Sequence, residues 1–320
     1  MMRCVMTQSA MSRWSKPELI VVATNLFEGY RLMLHAIYQA SLSNAKVLLV
    51  HVIPPSYSRN GAAFSPPITL PSPAVPTVKA KLEELAEEFW RAGVLCEPVV
   101  LRGLPAEQIP LFVKSRSADR VIVASSNATG VARLVGQSVA QELVSALNVP
   151  VCVIGRRTRP GASSNTPLGR ILLATPAHPG SLLLVNFARS VAELNHSHLT
   201  VLHVLDTEGM DEQQRDGAKW AARRKLTSLV NDRDSYTDQP SLLIREGDAA
   251  ASILGEAGSM PQDLVILGPA NPSIASCILS NSVAHRVVLE SQCPVIIVNS
   301  ATASERPGGI KDVETRLVYS

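Results

Sequence analysis

Two serines stand where a helix would begin and where an anion could be held. Ser138 and Ser282 lie 144 residues apart, and so do Pro150 and Pro294. Each serine opens a Ser-Val-Ala sequence after an apolar strand and a loop of small or polar residues. Each proline leads a further apolar strand. Residues 121–154 (VIVASSNATGVARLVGQSVAQELVSALNVPVCVI) and 265–298 (VILGPANPSIASCILSNSVAHRVVLESQCPVIIV) therefore spell one strand–loop–helix–strand block twice. The unpaired N–H groups of a helix's first turn, with the helix dipole behind them, favour phosphate. A serine hydroxyl would add one more group to such a cradle. The same serine can also be a plain N-cap, worth about 0.5–2 kcal/mol. Both readings stand at this point. Arg133 supplies a phosphate-pairing cation in the first loop, whereas Pro269 to Leu279 in the second contains no arginine.

Catalytic signatures are missing. The chain has no GxSxG elbow, HExxH, GxxxxGK[ST] or GxGxxG. His51 and His203 lie inside apolar strands, where a strand-end or core histidine outweighs a general base. His196 and His198 fall at a helix-to-strand turn with no cysteine or acid close by, so exposed turn residues outweigh metal ligands. The cysteines (Cys4, Cys96, Cys152, Cys277 and Cys293) form no CxxC or Cys/His cluster, so no metal ligand set is recognised. Their odd number and wide spacing suit a reducing cytoplasm.

The elements that must position these residues alternate strand and helix. Leu19–Thr24, Lys46–Ile53, Cys96–Arg102, Arg120–Ser125 and 150–154 read as strands. Between them, helices are expected over 28–43, Thr77–Gly93, Ala106–Ser115 and 138–148. Pro54–Pro76 holds seven prolines and reads as a long irregular excursion. Residues 156–168 (RRTRPGASSNTPL) read as a linker. The pattern then restarts, with strands at Arg170–Thr175, Leu199–Leu205, Ser241–Arg245 and Asp263–Gly268, and helices at about 180–194, 211–231 and 249–257. His203 falls where His51 does. Such alternation predicts mainly parallel sheets with helices on both faces. The boundaries are an extension over 1–16 to which no fold is assigned, domains over 17–155 and 169–299, and a polar tail over 300–320.

Composition agrees. With 320 residues, 46% hydrophobic and 18% charged, the chain is long enough for two ordinary soluble domains. A formal net charge of +3 is too slight to imply nucleic acid. The densest basic run, Arg223, Arg224 and Lys225, reads as a solvated helix face. No apolar run approaches the roughly 18–20 residues that cross a bilayer, and the first ten residues hold no signal-peptide core. Neither nucleic acid nor membrane is expected as a partner.

On these residues the chain resembles the universal stress protein family, in a tandem form covering about 17–155 and 168–299. The resemblance rests on the repeated block, the His-Val pair of the second strand, Gly103 or Gly247 after the third, and the Ala118-Asp119 or Gln262-Asp263 lead into the fourth. It implies two Rossmann-like open sheets, each of five mainly parallel strands in the order 3-2-1-4-5. Nucleotide-binding relatives carry G-x2-G-x9-G-[ST] in the block. The first half has Ala124, Asn127, Gln137 and Ser138 there, and the second has Gly268, Asn271, Asn281 and Ser282, followed by Val283. Asparagine tolerates φ > 0, so the turn can survive, while the amides of Gln137 and Asn281 can either bond a phosphate or fill its place. The family's Asp at the end of the first strand aligns with Thr24 and Thr175. The resemblance thus implies candidate positions for ATP or a related adenine nucleotide at Thr24, Asn127, Arg133, Gln137 and Ser138, and at Thr175, Gly247, Gly268, Asn271, Asn281, Ser282 and Val283. It also implies a cytoplasmic stress-response role without catalysis, either as a regulator or scaffold with degenerate pockets or as a nucleotide sensor. The two domains are expected to pair through their last strands, at 149–151 and 293–295, with a further homodimer and a protein partner left open.

Overall fold

Apolar residues occupy successive positions in the strands rather than alternating ones, as a sheet covered on both faces requires. In β1 (Leu19–Ala23), Ile20, Val21 and Val22 are all fully buried. The computed structural model describes residues 13–26, 29–54, 58–59, 68–69, 75–125, 139–159, 168–231, 239–259, 263–268 and 282–299. After β1 come α1 (Gly29–Ser43), β2 (Lys46–Ile53), α2 (Val75–Arg91), β3 (Cys96–Arg102), α3 (Pro105–Arg116), β4 (Arg120–Ala124), α4 (Val139–Ala146) and β5 (Val151–Ile154). The second half holds β6 (Arg170–Ala174), α5 (Leu182–Asn195), β7 (His198–Leu205), α6 (Glu212–Val230), β8 (Ser241–Glu246), α7 (Ala249–Ser259), β9 (Leu264–Leu267), α8 (Val283–Glu290) and β10 (Val295–Ile297).

Helix ends follow local chemistry. Asp211 and Gln214 form a reciprocal capping box at the start of α6, with N–H···O distances of 2.8 and 3.1 Å. Beyond the end of α2, Gly93 adopts φ +76°, which lets Val94 N–H reach the Phe89 carbonyl at 2.9 Å. The buried stripe of α2 is Val78, Leu82, Leu85, Ala86 and Phe89.

Among the described residues the strands form one main sheet, β8-β7-β6-β9-β10-β5-β4-β1-β2-β3, with a separate two-residue ribbon of Ser58–Arg59 and Ile68–Thr69. Within each half all pairings are parallel and the order is 3-2-1-4-5. The two five-stranded units expected from the sequence are thus continuous with one another. β5 and β10 pair antiparallel, Val151 with Ile297 and Val153 with Val295, and weld the halves into ten continuous strands. The seam is tight. A Cβ on Gly155 would lie 2.5 Å from the Val288 carbonyl oxygen, so only glycine allows this approach. Gln141 and His285, equivalent positions 144 residues apart, bond to each other across it, Gln141 Nε2 donating to His285 Nδ1 at 2.5 Å. Both apolar layers run through the seam. One, beneath α1, α2, α5 and α6, includes Leu32, Leu82, Val185 and Leu226. The other, beneath α3, α4, α7 and α8, includes Ile109, Leu143, Ile253 and Val287.

Three local expectations change. Residues 13–15 form a helical turn, with Trp14 buried and Arg13 paired to Asp119 at 2.8 Å, so the fold begins before residue 17. Pro76 lies in the first turn of α2 rather than in the proline-rich excursion, and α3 begins at Pro105, one residue before the expected Ala106. Proline is well suited to a first turn, whose N–H groups lack intrahelical acceptors.

Candidate functional site

In an open α/β sheet, ligands sit beyond the carboxyl ends of the strands where the strand order reverses. That point lies between β1 and β4 in the first half and between β6 and β9 in the second. Because the halves meet antiparallel, the two crevices face opposite edges of the sheet.

Both crevices are floored by a threonine that turns back on its own chain. Thr24 Oγ1 accepts the Leu26 N–H at 3.0 Å, and Thr175 Oγ1 accepts the Ala177 N–H at 3.4 Å. The donating residues, Leu26 and Ala177, hold φ values of 73° and 53°, in the left-handed region. Each threonine carbonyl accepts from a histidine of the neighbouring strand, His51 Nδ1 at 2.8 Å and His203 Nδ1 at 2.9 Å. A carbonyl cannot donate, so Nδ1 carries the proton in both rings. These histidines brace the strand ends, in accord with the strand-end reading.

The second crevice brings Thr175, Gly268, Ser282 and Val283 to one end of the sheet. Thr175 and Gly268 directly follow the paired residues Ala174 and Leu267. Gly268 is held close against α5: a Cβ there would lie 2.7 Å from Cδ2 of Leu184, a buried side chain in that helix's first turn. Ser282 caps α8, its Oγ accepting the His285 N–H at 3.2 Å, while Val283 is exposed. Gly247 lies two strands away, directly after β8 at φ +97°, with its N–H on the Leu205 carbonyl of β7 at 2.9 Å. Asn127, Arg133, Gln137, Ser138, Asn271 and Asn281 lie outside the described residues.

Asp248 and Arg286 were missed by the sequence reading. Asp248 Oδ1 accepts the Ala251 N–H at 2.7 Å and both carboxylate oxygens meet Arg286 Nη1, at 2.9 and 3.0 Å. The Ala251 hydrogen bond first, and the Arg286 charge after it, hold this carboxyl below its ordinary value. The pair ties α7 to the first turns of α8. Its only sequence signal is an Asp immediately before a helical pattern, where it reads as a cap. The corresponding first-half positions are Leu104 and Glu142, which form no such pair.

At the far ends of the strands, Asp119 Oδ2 accepts the N–H groups of Glu18 and Leu19 at 3.0 and 3.1 Å. Asp263 Oδ2 does the same for Gly169 and Arg170 at 2.7 and 3.0 Å. The shared aspartates are thus strand clamps, remote from the crevices. His196 is an exposed residue of the turn after α5, whereas His198 is the exposed first residue of β7 rather than a turn residue, its Nε2 lying 2.9 Å from Ser241 Oγ. Cys293 is buried beside Ser291, and burial pushes its thiol pKa up. Among the described residues, no three His, Cys, Asp or Glu side chains are placed to hold a metal ion. Nor is any described helix long and apolar enough to cross a membrane.

Two like halves, each with a crevice at the carboxyl ends of a parallel sheet, define a tandem open-sheet α/β protein. A universal stress protein from Archaeoglobus fulgidus has the same fold, with a TM-score of 0.63 at 14% identity over 89% of this chain and 97% of that one. A protein of unknown function from Pseudomonas aeruginosa gives 0.61 at 17% identity, over 90% and 94%. A universal stress protein of Methanocaldococcus jannaschii is 31% identical over 74 residues, 23% of this chain and 42% of that relative's length. The model of the universal stress protein family matches residues 18–155 and 167–299. The chain belongs to the universal stress protein family, with its domain present twice.

Proposed function

We propose that this protein is a cytoplasmic, non-catalytic regulator or scaffold of the stress response, acting through a protein partner, with strand-end crevices that no longer hold nucleotide. The observation that carries this reading is Leu184. The half that retains the family glycine, Gly268, has that side chain packed on the α-carbon a phosphate would need to approach. Supporting it, Thr24 and Thr175 replace the acid and spend their hydroxyls on local turns, and the Ser282 hydroxyl is engaged as a cap. The residues present therefore do not fit ATP well.

The test is thermal unfolding of the full chain with ATP, ADP and AMP at millimolar concentration. A nucleotide at 100 times its dissociation constant would add about 2.7 kcal/mol. No shift is expected; a saturable rise in melting temperature would overturn the proposal. It would favour instead an adenine-nucleotide sensor using the second crevice, where Gly268 and Ser282 keep the family spacing.

A further inference from the structure

A cavity of about 290 Å³ lies at the seam, on the sheet face covered by α1 and α5. It is distinct from both strand-end crevices. Its wall includes Arg120, the first residue of β4, which is only 5% exposed. Arg120 Nη1 donates to Gln39 Oε1 at 3.1 Å and Nη2 to the Trp14 carbonyl at 2.7 Å, both neutral acceptors. Its Nε–H has no partner among the described residues. The neighbouring Asp119 is already committed, one oxygen to Arg13 and the other to two backbone N–H groups. A buried cation with an idle donor is costly unless something anionic completes it.

Packing alone does not demand arginine here. The repeat places Leu264 at the equivalent position, 144 residues on and buried to 4% exposure, in the same sheet. The rest of the lining sets the ligand's character. Arg159 and Lys16 add two cations against the single carboxylate of Asp263, whose Oδ2 is held by two backbone N–H groups. Leu42, Val191, Leu194 and Ile296 supply an apolar wall.

We infer that this seam cavity binds a small organic monoanion, a carboxylate with an apolar body, whose charge completes Arg120. One idle guanidinium N–H suits a singly charged carboxylate set in an apolar wall. A phosphate dianion would bring more charge and more acceptors than the one idle N–H of Arg120 serves. The volume, near the lower end for ligand sites, also favours a small molecule.

Calorimetric titration of the full chain with benzoate and hexanoate tests this, with benzamide, hexanamide and inorganic phosphate as controls. The acids are expected to bind saturably, one per chain, and the amides at least about tenfold more weakly. Arg120→Leu, the second half's own residue, removes the preference for acid over amide. Leu194→Trp, at the half-exposed rim, blocks the acids while leaving Arg120 in place, so the test survives if Arg120→Leu fails to fold. No saturable heat with either acid, equal binding of acid and amide, competition by phosphate at equal concentration, or full acid binding in the Leu194→Trp chain would each overturn the inference.

Discussion

Replacing Gly268 by alanine separates a packing role from a ligand role. The added Cβ would stand 2.7 Å from Leu184 Cδ2, 3.4 Å from Cδ1 and 3.5 Å from Cγ. Carbon atoms prefer about 3.5–4.0 Å, so the leucine methyl must retreat by about 1 Å within a filled layer. Overpacking of this kind costs about 1–3 kcal/mol. Alanine also returns about 0.4–1 kcal/mol by restricting the unfolded chain. The backbone itself is not an obstacle, since Gly268 is not among the positive-φ glycines and Ala124 occupies the equivalent place. The net loss is about 1–2 kcal/mol, read as a melting point lower by roughly 2–6 °C. Leu184→Ala alone should cost about 2–5 kcal/mol, and adding Gly268→Ala to it should cost nothing further. Urea unfolding of the four chains in this cycle gives the coupling. Strict additivity, or a Gly268→Ala chain as stable as the parent, would refute the packing argument.

The two strand clamps differ in burial and should differ in cost. Asp119→Ala strands two N–H groups beside a buried site, for about 2–3 kcal/mol, whereas the same change at exposed Asp263 costs about 1 kcal/mol in urea unfolding; equal losses would show that burial is not the deciding variable. Asp248 sets a pH dependence. Its depressed carboxyl contributes fully above the ordinary carboxylate value of about 3.9, and that contribution is lost as pH falls through the lowered value. The Ala251 amide should report this as faster hydrogen exchange in acid, absent in Asp248→Asn; an unchanged acid profile in that variant would count against the α7–α8 tie.

Much of the fold was legible because it rests on local signals: continuous apolar strands, the amphipathic stripe of α2, and a block repeated at a fixed offset. The antiparallel register of the seam was less so, although pairing of the last strands was expected. It joins Val153 to Val295, and no local pattern encodes a register between residues so far apart. The docking of Trp14 escaped because a three-residue helical turn has no periodicity to read. Pro76 and Pro105 look like breakers in sequence and act as helix starts in space. At the site, types and spacing located Thr175, Gly268 and Ser282, but the hydroxyls' partners and the Leu184 contact belong to tertiary packing. Arg120 reads as an ordinary polar strand start. Its idle Nε–H appears only once Gln39, Trp14 and Asp119 are placed around it.

The seam also sets a timetable for synthesis. β5 leaves the ribosome about 140 residues before β10, a wait of roughly seven to thirty seconds at about 5–20 residues per second. Through that interval Val151–Ile154 is an apolar edge without its partner, open to any other nascent strand. Its brevity, four residues led by Pro150, offers few amide and carbonyl groups to a wrong neighbour, and the three-residue β10 behind Pro294 is equally sparing. The strands that weld the finished molecule are thus short enough to be safe while one of them stands alone.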